Sequence, residues 1–338
     1  MYSNKLGRLM FGLKGLKVTS ACGAFERAAA RSGFSWAAVC KQRTLWQQRS
    51  ACARMHQTGV RSAVHTTVDH GEVKRFQLLA NKWWDEEGEF AALHAMNDLR
   101  VPFVRDNLLN AQRERHPGQP LAGLRILDVG CGGGLLSEPL GRLGATVLGI
   151  DPVEDSVRIA QLHAAHDPDL RDRVSYQACT LEELSGEGEP QQQPEQGVTQ
   201  FDAVVASEVV EHLADLDTFA ICCSHVLKPG GSLFITTLNK TNLSYALAIV
   251  VAEQLLHIVP RGTHDWEKFI SPVELERLLE SNGFLVQSVQ GMLYNPISGA
   301  WSWTNNTEIN YALHAVKQDD EAQDGSSPSG GHNEATNS

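Results

Sequence analysis

The glycine-rich segment at residues 128–134 (DVGCGGG) has the most distinctive chemistry of the chain. It follows a short apolar run and precedes a segment with helical spacing. Glycines let a backbone turn tightly and approach a ligand, and a helix N-terminus adds partial positive charge. Asp151 ends the next apolar run, 21 residues after Gly130, where a carboxylate can accept both hydroxyls of a ribose. The pattern predicts a nucleoside cofactor; a tight turn followed by an acidic helix cap is the structural alternative.

The glycine spacing disfavours a dinucleotide-dependent dehydrogenase. In the GxGxxG pattern of such enzymes, the third glycine would fall on Leu135. The loop instead matches the one that cradles the methionine part of S-adenosylmethionine, and a Lys-Pro-Gly-Gly turn at 228–231 strengthens this interpretation.

A second candidate site consists of Glu208, Glu211 and His212. These residues follow an apolar run at 201–206, so we expect them at the carboxyl edge of a sheet, where doubly wound folds bind ligands. Their oxygens suit a hard cation such as magnesium, whereas the imidazole also suits manganese or zinc. His212 could instead act as a general base that removes a proton from a substrate. An acidic helix start with a hydrogen-bonded histidine is the structural alternative.

Apolar runs that alternate with helical segments must position these residues. Such alternation predicts a doubly wound, mostly parallel α/β sheet. The predicted strands lie at 125–129, 146–150, 174–179, 201–206 and 232–237, and the predicted helices at 135–143, 153–166 and 215–226.

The charge is distributed unevenly along the chain. Residues 1–68 carry eleven Lys/Arg and one acidic residue, Glu26, while the whole chain has a net charge of −11. A basic, acid-poor segment without a continuous apolar core predicts a mitochondrial transit segment, which we place at 1–70. The acidic remainder disfavours nonspecific nucleic-acid binding, which needs Lys and Arg. No CxxC pair occurs among the seven cysteines, so neither a zinc ribbon nor a thioredoxin-type site is indicated.

Several blocks resemble class I S-adenosylmethionine-dependent methyltransferases, and more closely the ubiquinone-biosynthesis O-methyltransferase family in its mitochondrial form. The similarity runs from about residue 72 to 317. The blocks that carry it are 82–85 (KWWD), 124–151, 206–212 (ASEVVEH), 227–239, 262–269 (GTHDWEKF) and 291–296 (GMLYNP).

This resemblance implies specific residues and a specific fold. The family's cofactor contacts fall on Arg100, Gly130, Asp151 and Ser207, and its divalent metal, magnesium, falls on Glu208, Glu211 and His212. His264 is a further candidate for substrate contact or deprotonation, with a structural histidine as the alternative. We expect a seven-stranded, Rossmann-like sheet at 71–317, with an N-terminal helical cap at 71–118. The last two strands are expected at 283–290 and 308–317, the final one antiparallel.

The resemblance also implies the substrate and the surroundings of the enzyme. The expected acceptors are ring hydroxyls of polyprenylated ubiquinone precursors, and the expected location is the matrix side of the mitochondrial inner membrane, within a biosynthetic complex. The segment 241–270 is interpreted as an insertion that faces the membrane or the substrate, with an ordinary packed helix as the alternative. The polar tail at 318–338 is expected to be disordered. Another small-molecule methyltransferase and a non-catalytic cofactor-binding subunit are the competing functions.

Overall fold

The computed structural model describes residues 66–111, 117–186, 200–241 and 268–319. The chain divides into two units, Met1–Ala63 and Val64–Ser338, and every described residue belongs to the second unit. The expectations for the transit segment up to residue 65, for most of the insertion at 241–270, for His264 and for the tail from residue 320 fall outside the described residues.

The sheet combines a parallel half with an antiparallel half. Within the described residues it has eight strands in the order β3-β2-β1-β4-β5-β8-β6-β7. Strands β1 to β5 are parallel neighbours, β8 runs antiparallel to β5 and β6, and β7 runs antiparallel to β6. The strands are β1 Arg125–Val129, β2 Thr146–Asp151, β3 Val174–Ala178, β4 Phe201–Ser207, β5 Leu227–Leu238, β6 Phe284–Asn295, β7 Ala300–Thr304 and β8 Asn310–Lys317.

Helices cover both faces of this sheet. In the described part of the chain, the α-helices are α1 His70–Leu79, α2 Ala91–Ala111, α3 Ser137–Arg142, α4 Glu154–Ala164, α5 Leu181–Ser185, α6 Leu216–Val226 and α7 Pro272–Ser281. One apolar cluster joins the sheet to α5, α6 and α7, and another joins it to α2, α3 and α4. Burial on both faces explains why strands such as β1 read as nearly continuous apolar runs. The doubly wound α/β prediction is confirmed.

The sheet of the described residues has one strand more than the seven predicted. The additional strand, β7, pairs with an extension of β6 that reaches Asn295, beyond the predicted end at 290. Strand β7 has only five residues (AWSWT), and none of its side chains is fully buried, so it lacks the buried apolar run that identified the other strands. The hairpin forms because Trp301 packs beside Tyr294 and its Nε1 donates a hydrogen bond to the Ala92 carbonyl at 2.8 Å.

Within the described residues, no helix combines the length and the apolar character needed to cross a membrane.

Candidate cofactor and methyl-transfer site

The glycine loop leaves β1 in a backbone conformation that few side chains tolerate. Gly130 has φ +67°, and a Cβ atom there would lie 2.6 Å from Val209 Cγ2. A Cβ atom at Gly132 would lie 2.5 Å from the Trp83 ring. Because Val209 and Trp83 approach the loop this closely, a residue larger than glycine at either position would push the loop out of this conformation. Trp83 itself is buried, and its Nε1 donates to Ser156 Oγ at 3.0 Å, which fixes the indole over the loop.

Asp151 stands at the end of β2, beside the glycine loop. Its Oδ2 accepts a hydrogen bond from the Gly132 amide at 3.0 Å, and its Oδ1 accepts one from the Val153 amide at 2.8 Å. Burial raises the pKa of Asp151 to about 6, and the two amides oppose this shift. Each carboxylate oxygen has a second lone pair, so Asp151 can still accept hydrogen bonds from a ribose.

Arg100 connects helix α2 to the end of β4. Its side chain is buried, NH1 donates to Ser207 Oγ at 2.9 Å, and Nε donates to Asn97 Oδ1 at 2.7 Å. Burial lowers the pKa of Arg100 to about 10, although Asp128 and Glu208 raise it, so the guanidinium stays charged at neutral pH. A fixed guanidinium is suited to holding a carboxylate such as that of the cofactor's methionine part.

A cavity of about 390 Å³ brings the predicted residues together. It lies between the N-terminal helices α1 and α2, which form the cap, and the carboxyl ends of the strands. Doubly wound sheets bind ligands at this edge. Its lining includes every predicted site residue that the structure describes: Arg100, Gly130, Asp151, Ser207, Glu208, Glu211 and His212.

The two candidate metal carboxylates lie in different surroundings. Glu208 has φ +58°, rare for a residue other than glycine, and its Oε1 accepts a hydrogen bond from Thr236 Oγ1 at 2.9 Å. Glu211 is 1% exposed, and its Oε2 accepts one from Thr237 Oγ1 at 2.8 Å. Glu211 Oε1 is buried and has no hydrogen-bond partner in the described part of the chain. Burial, followed by the charge of Glu208, raises the pKa of Glu211 well above its usual range.

The third candidate metal ligand, His212, faces the cap. Its Nδ1 lies 3.2 Å from Glu72 Oε2 on helix α1. Across the described ranges, no three His, Cys, Asp or Glu side chains form a group that could hold a metal ion. The donor chemistry of the two glutamates nevertheless fits a hard cation, because the buried Glu211 Oε1 lacks a partner and the two carboxylates repel each other.

Sequence reasoning missed three residues of this cavity: Glu72, Trp83 as a cover of the glycine loop, and Asp128. Asp128 is buried, accepts a hydrogen bond from Ser137 Oγ at 2.5 Å, and has a pKa that burial raises to about 6. Its position within the glycine motif was a visible signal. The sequence carried no comparable signal for Glu72, because a glutamate in the first turn of a helix is common.

Comparisons with known proteins agree with this geometry. A family model described as a methyltransferase domain matches residues 102–289. The mitochondrial ubiquinone biosynthesis O-methyltransferase of Homo sapiens is 62% identical over 256 residues, which cover 76% of this chain and 67% of that protein. The ubiquinone biosynthesis O-methyltransferase of Sinorhizobium fredii is 43% identical over 253 residues, which cover 75% of this chain and 97% of that protein.

A solved structure with a similar fold is that of magnesium protoporphyrin IX methyltransferase from Synechocystis with bound SAH. It is 19% identical, has a TM-score of 0.44, and is matched over 72% of this chain and 100% of that one.

The matched domain, the doubly wound fold and the two relatives together identify an enzyme that uses S-adenosylmethionine as methyl donor. The chain belongs to the ubiquinone biosynthesis O-methyltransferase family.

Proposed function

We propose that this enzyme transfers the methyl group of S-adenosylmethionine to a ring hydroxyl of polyprenylated ubiquinone precursors, namely a polyprenyl dihydroxybenzoate and demethylubiquinol. The observation that carries the proposal is that the candidate cofactor residues and an apolar wall line the same cavity. Asp151 and Arg100 line it together with Leu293, Tyr294 and Trp301 of the β6–β7 hairpin. Polar groups suit the cofactor, whereas the apolar wall suits an aromatic acceptor with an isoprenoid tail.

The cavity suits an in-line displacement. Bound S-adenosylmethionine would supply an activated methyl group to the acceptor oxygen, and S-adenosylhomocysteine would be the leaving group. Arg100 and Asp151 would orient the donor, and the cap residues Trp83 and Phe90, stacked with ring centroids 4.0 Å apart, would help to exclude water. His212 lines the same cavity and would accept the phenolic proton or serve as a metal ligand.

We also propose that Glu208 and Glu211 hold a divalent cation, magnesium in the first instance, with His212 as a third ligand. The support is the buried, unpartnered Glu211 Oε1 and its repulsion by Glu208. Recruitment of His212 would require its ring to turn away from Glu72 or to use Nε2. A bound divalent cation supplies Lewis acidity that lowers the pKa of the acceptor hydroxyl.

We propose a peripheral location on the matrix face of the mitochondrial inner membrane, within a multi-subunit biosynthetic complex. The mitochondrial relatives and the basic segment at 1–68 support the compartment. The expected membrane-facing or substrate-facing segment is 241–270. Flotation of the mature protein with anionic liposomes tests the location, and a protein that stays at the bottom of the gradient with every lipid composition would contradict it.

The decisive experiment measures methyl transfer from labelled S-adenosylmethionine to a short-chain polyprenyl dihydroxybenzoate. The protein should begin at residue 64, because residues 66–69 contact the folded unit. Label on the ring oxygen, lost with a chelator and restored by magnesium, is the expected result. Cofactor binding without transfer to this acceptor would favour another acceptor or the non-catalytic subunit.

A further inference from the structure

We infer that Glu72 of the cap helix α1 is a positioning residue for His212. The inference rests on the proposed function, in which His212 is a base or a metal ligand. In this arrangement the cap would cover the cofactor and would also contribute a side chain to the reaction site.

The His212 ring contacts two residues on one face of α1. Its Nδ1 lies 3.2 Å from Glu72 Oε2, and the Phe76 ring meets it edge-on, with centroids 5.2 Å apart and planes at 83°. Residues 72 and 76 are one helical turn apart, so they project from the same face of α1. A carboxylate and an aromatic ring together restrict both the position and the tilt of the imidazole.

The chain around His212 and the start of α1 are joined by several contacts. Val68 forms an antiparallel bridge with Leu213, and the Ala214 amide donates to the Thr67 carbonyl at 2.9 Å. Asp69 caps α1 by accepting from the Gly71 amide, and it also binds Lys268 Nζ at 2.5 Å. These contacts hold Glu72 opposite His212.

The charges around Glu72 favour an ionised carboxylate directed at the histidine. Glu72 is 7% exposed, and its other oxygen, Oε1, lies 2.8 Å from Arg75 NH2 and 3.7 Å from Lys268 Nζ. A carboxylate at Nδ1 favours the tautomer with its proton on Nδ1, and the task of base or ligand then falls to Nε2.

The test compares Glu72→Ala and Glu72→Gln in the full mature protein. Loss of a carboxylate that orients a functional histidine typically costs about 10–100-fold in activity. We expect Glu72→Ala to lower kcat by that factor and to leave the cofactor Kd within about twofold. Glu72→Gln keeps an oxygen that can accept from Nδ1, so it should recover part of the lost kcat. A kcat of Glu72→Ala equal to that of the wild type would overturn the inference.

A matched control distinguishes the loss of His212 positioning from a general loosening of the helical cap. Glu182 is buried, accepts a hydrogen bond from the Thr67 amide, and does not line the cavity. Glu182→Ala should therefore lower the unfolding temperature without the loss of kcat that we expect for Glu72→Ala. If Glu182→Ala reproduces the kinetic defect, Glu72 acts only through the cap and the inference fails.

A double-mutant cycle with His212→Gln tests whether Glu72 acts through the histidine. In the His212→Gln background, Glu72→Ala should change kcat by less than about twofold, because the imidazole that Glu72 positions is absent. Independent effects that multiply would contradict the inference. Full activity of His212→Gln would refute the proposed part of His212 itself, whereas an inactive His212→Gln beside a fully active Glu72→Ala would refute the inference alone.

Discussion

Arg100 NH1 donates a hydrogen bond to Ser207 Oγ at 2.9 Å, although 107 residues separate the two positions in the chain. Ser207 Oγ is also 2.7 Å from Thr236 Oγ1, so the contact extends from helix α2 through β4 to β5. The cap thereby places a buried positive charge above the carboxyl edge of the sheet.

Arg100→Lys should weaken cofactor binding. Lysine keeps the charge but cannot contact Asn97, Ser207 and a carboxylate together, because it lacks the planar fork of donors. Loss of a charged hydrogen bond costs about 1.5–3 kcal/mol, so we expect the Kd for S-adenosylmethionine to rise by about 10- to 150-fold in calorimetry. Arg105→Lys, at a partly exposed pair with Asp106, is the control and should leave Kd unchanged. Equal Kd values for both variants would exclude Arg100 as a cofactor contact.

Gly130→Ala should destabilise the fold more than Gly283→Ala does. Both glycines have positive φ, +67° and +82°, so both variants incur the left-handed penalty of about 1–2 kcal/mol. Only at Gly130 would the new Cβ meet a neighbour, Val209, since nothing lies within 4 Å at Gly283. Urea unfolding measures the difference, and Val209→Ala should recover it in the double variant. Equal destabilisation of the two single variants would show that the loop relaxes freely.

Cofactor affinity should depend on pH through Asp151. The pKa of Asp151 is raised to about 6, so the cofactor-free protein takes up a proton there as the pH falls through that value. Because the ionised carboxylate would accept the ribose hydroxyls, Kd should be constant above pH ~7 and rise by up to about tenfold per pH unit below ~6. In Asp151→Asn this dependence should be absent. An identical pH profile in the variant would assign the effect to another group, with Asp128, whose pKa is also raised to about 6, as the first candidate.

The stability of the cofactor-free protein should depend on pH in the opposite sense. The pKa of folded Asp151 lies above the ordinary value of 3.8, so the folded state binds the proton more tightly than the unfolded state does. The contribution of this residue to stability is therefore fully present below pH ~4 and is lost as the pH rises through ~6. Comparison of wild type and Asp151→Asn in urea at several pH values isolates this contribution from those of other groups.

Glu211→Gln should abolish a response to magnesium that is measurable without turnover. The proposed cation would neutralise a buried carboxylate with an unpartnered oxygen, so magnesium should raise the unfolding temperature of the wild type. The variant should lack this shift and should be inactive. Glu280→Gln, an exposed position on helix α7, is the control and should behave like the wild type. A magnesium-induced shift of equal size in Glu211→Gln would contradict the proposed metal site.

Leu293→Ser should affect acceptors according to the length of their tails. Leu293 lines the cavity yet is 43% exposed, so it could contact a polyprenyl chain at the cavity mouth. We expect KM to increase for a long-tailed dihydroxybenzoate and to stay constant for the tail-less ring. Val273→Ser, which removes an exposed apolar side chain outside the cavity lining, should change neither. An equal increase in KM for both acceptors would place Leu293 against the ring.

The sequence alone was sufficient to predict features contained within one βαβ unit. Strand β1, the glycine loop and Asp151 at the end of β2 follow one another closely, so their spacing predicted both the doubly wound class and the cofactor site. Such local structure is recognisable in the sequence, because strand burial and turn geometry restrict the residue types allowed at fixed spacings along the chain.

Only the tertiary structure decided which distant residues meet. Hydrophobic periodicity tells which face of an element is buried, but it does not identify the partner across the contact. The pairing of His212 with Glu72 and that of Arg100 with Ser207 therefore left no pattern in the sequence. The same reason applies to β7, a half-exposed strand that depends on Trp301 packing beside Tyr294 and bonding to the cap.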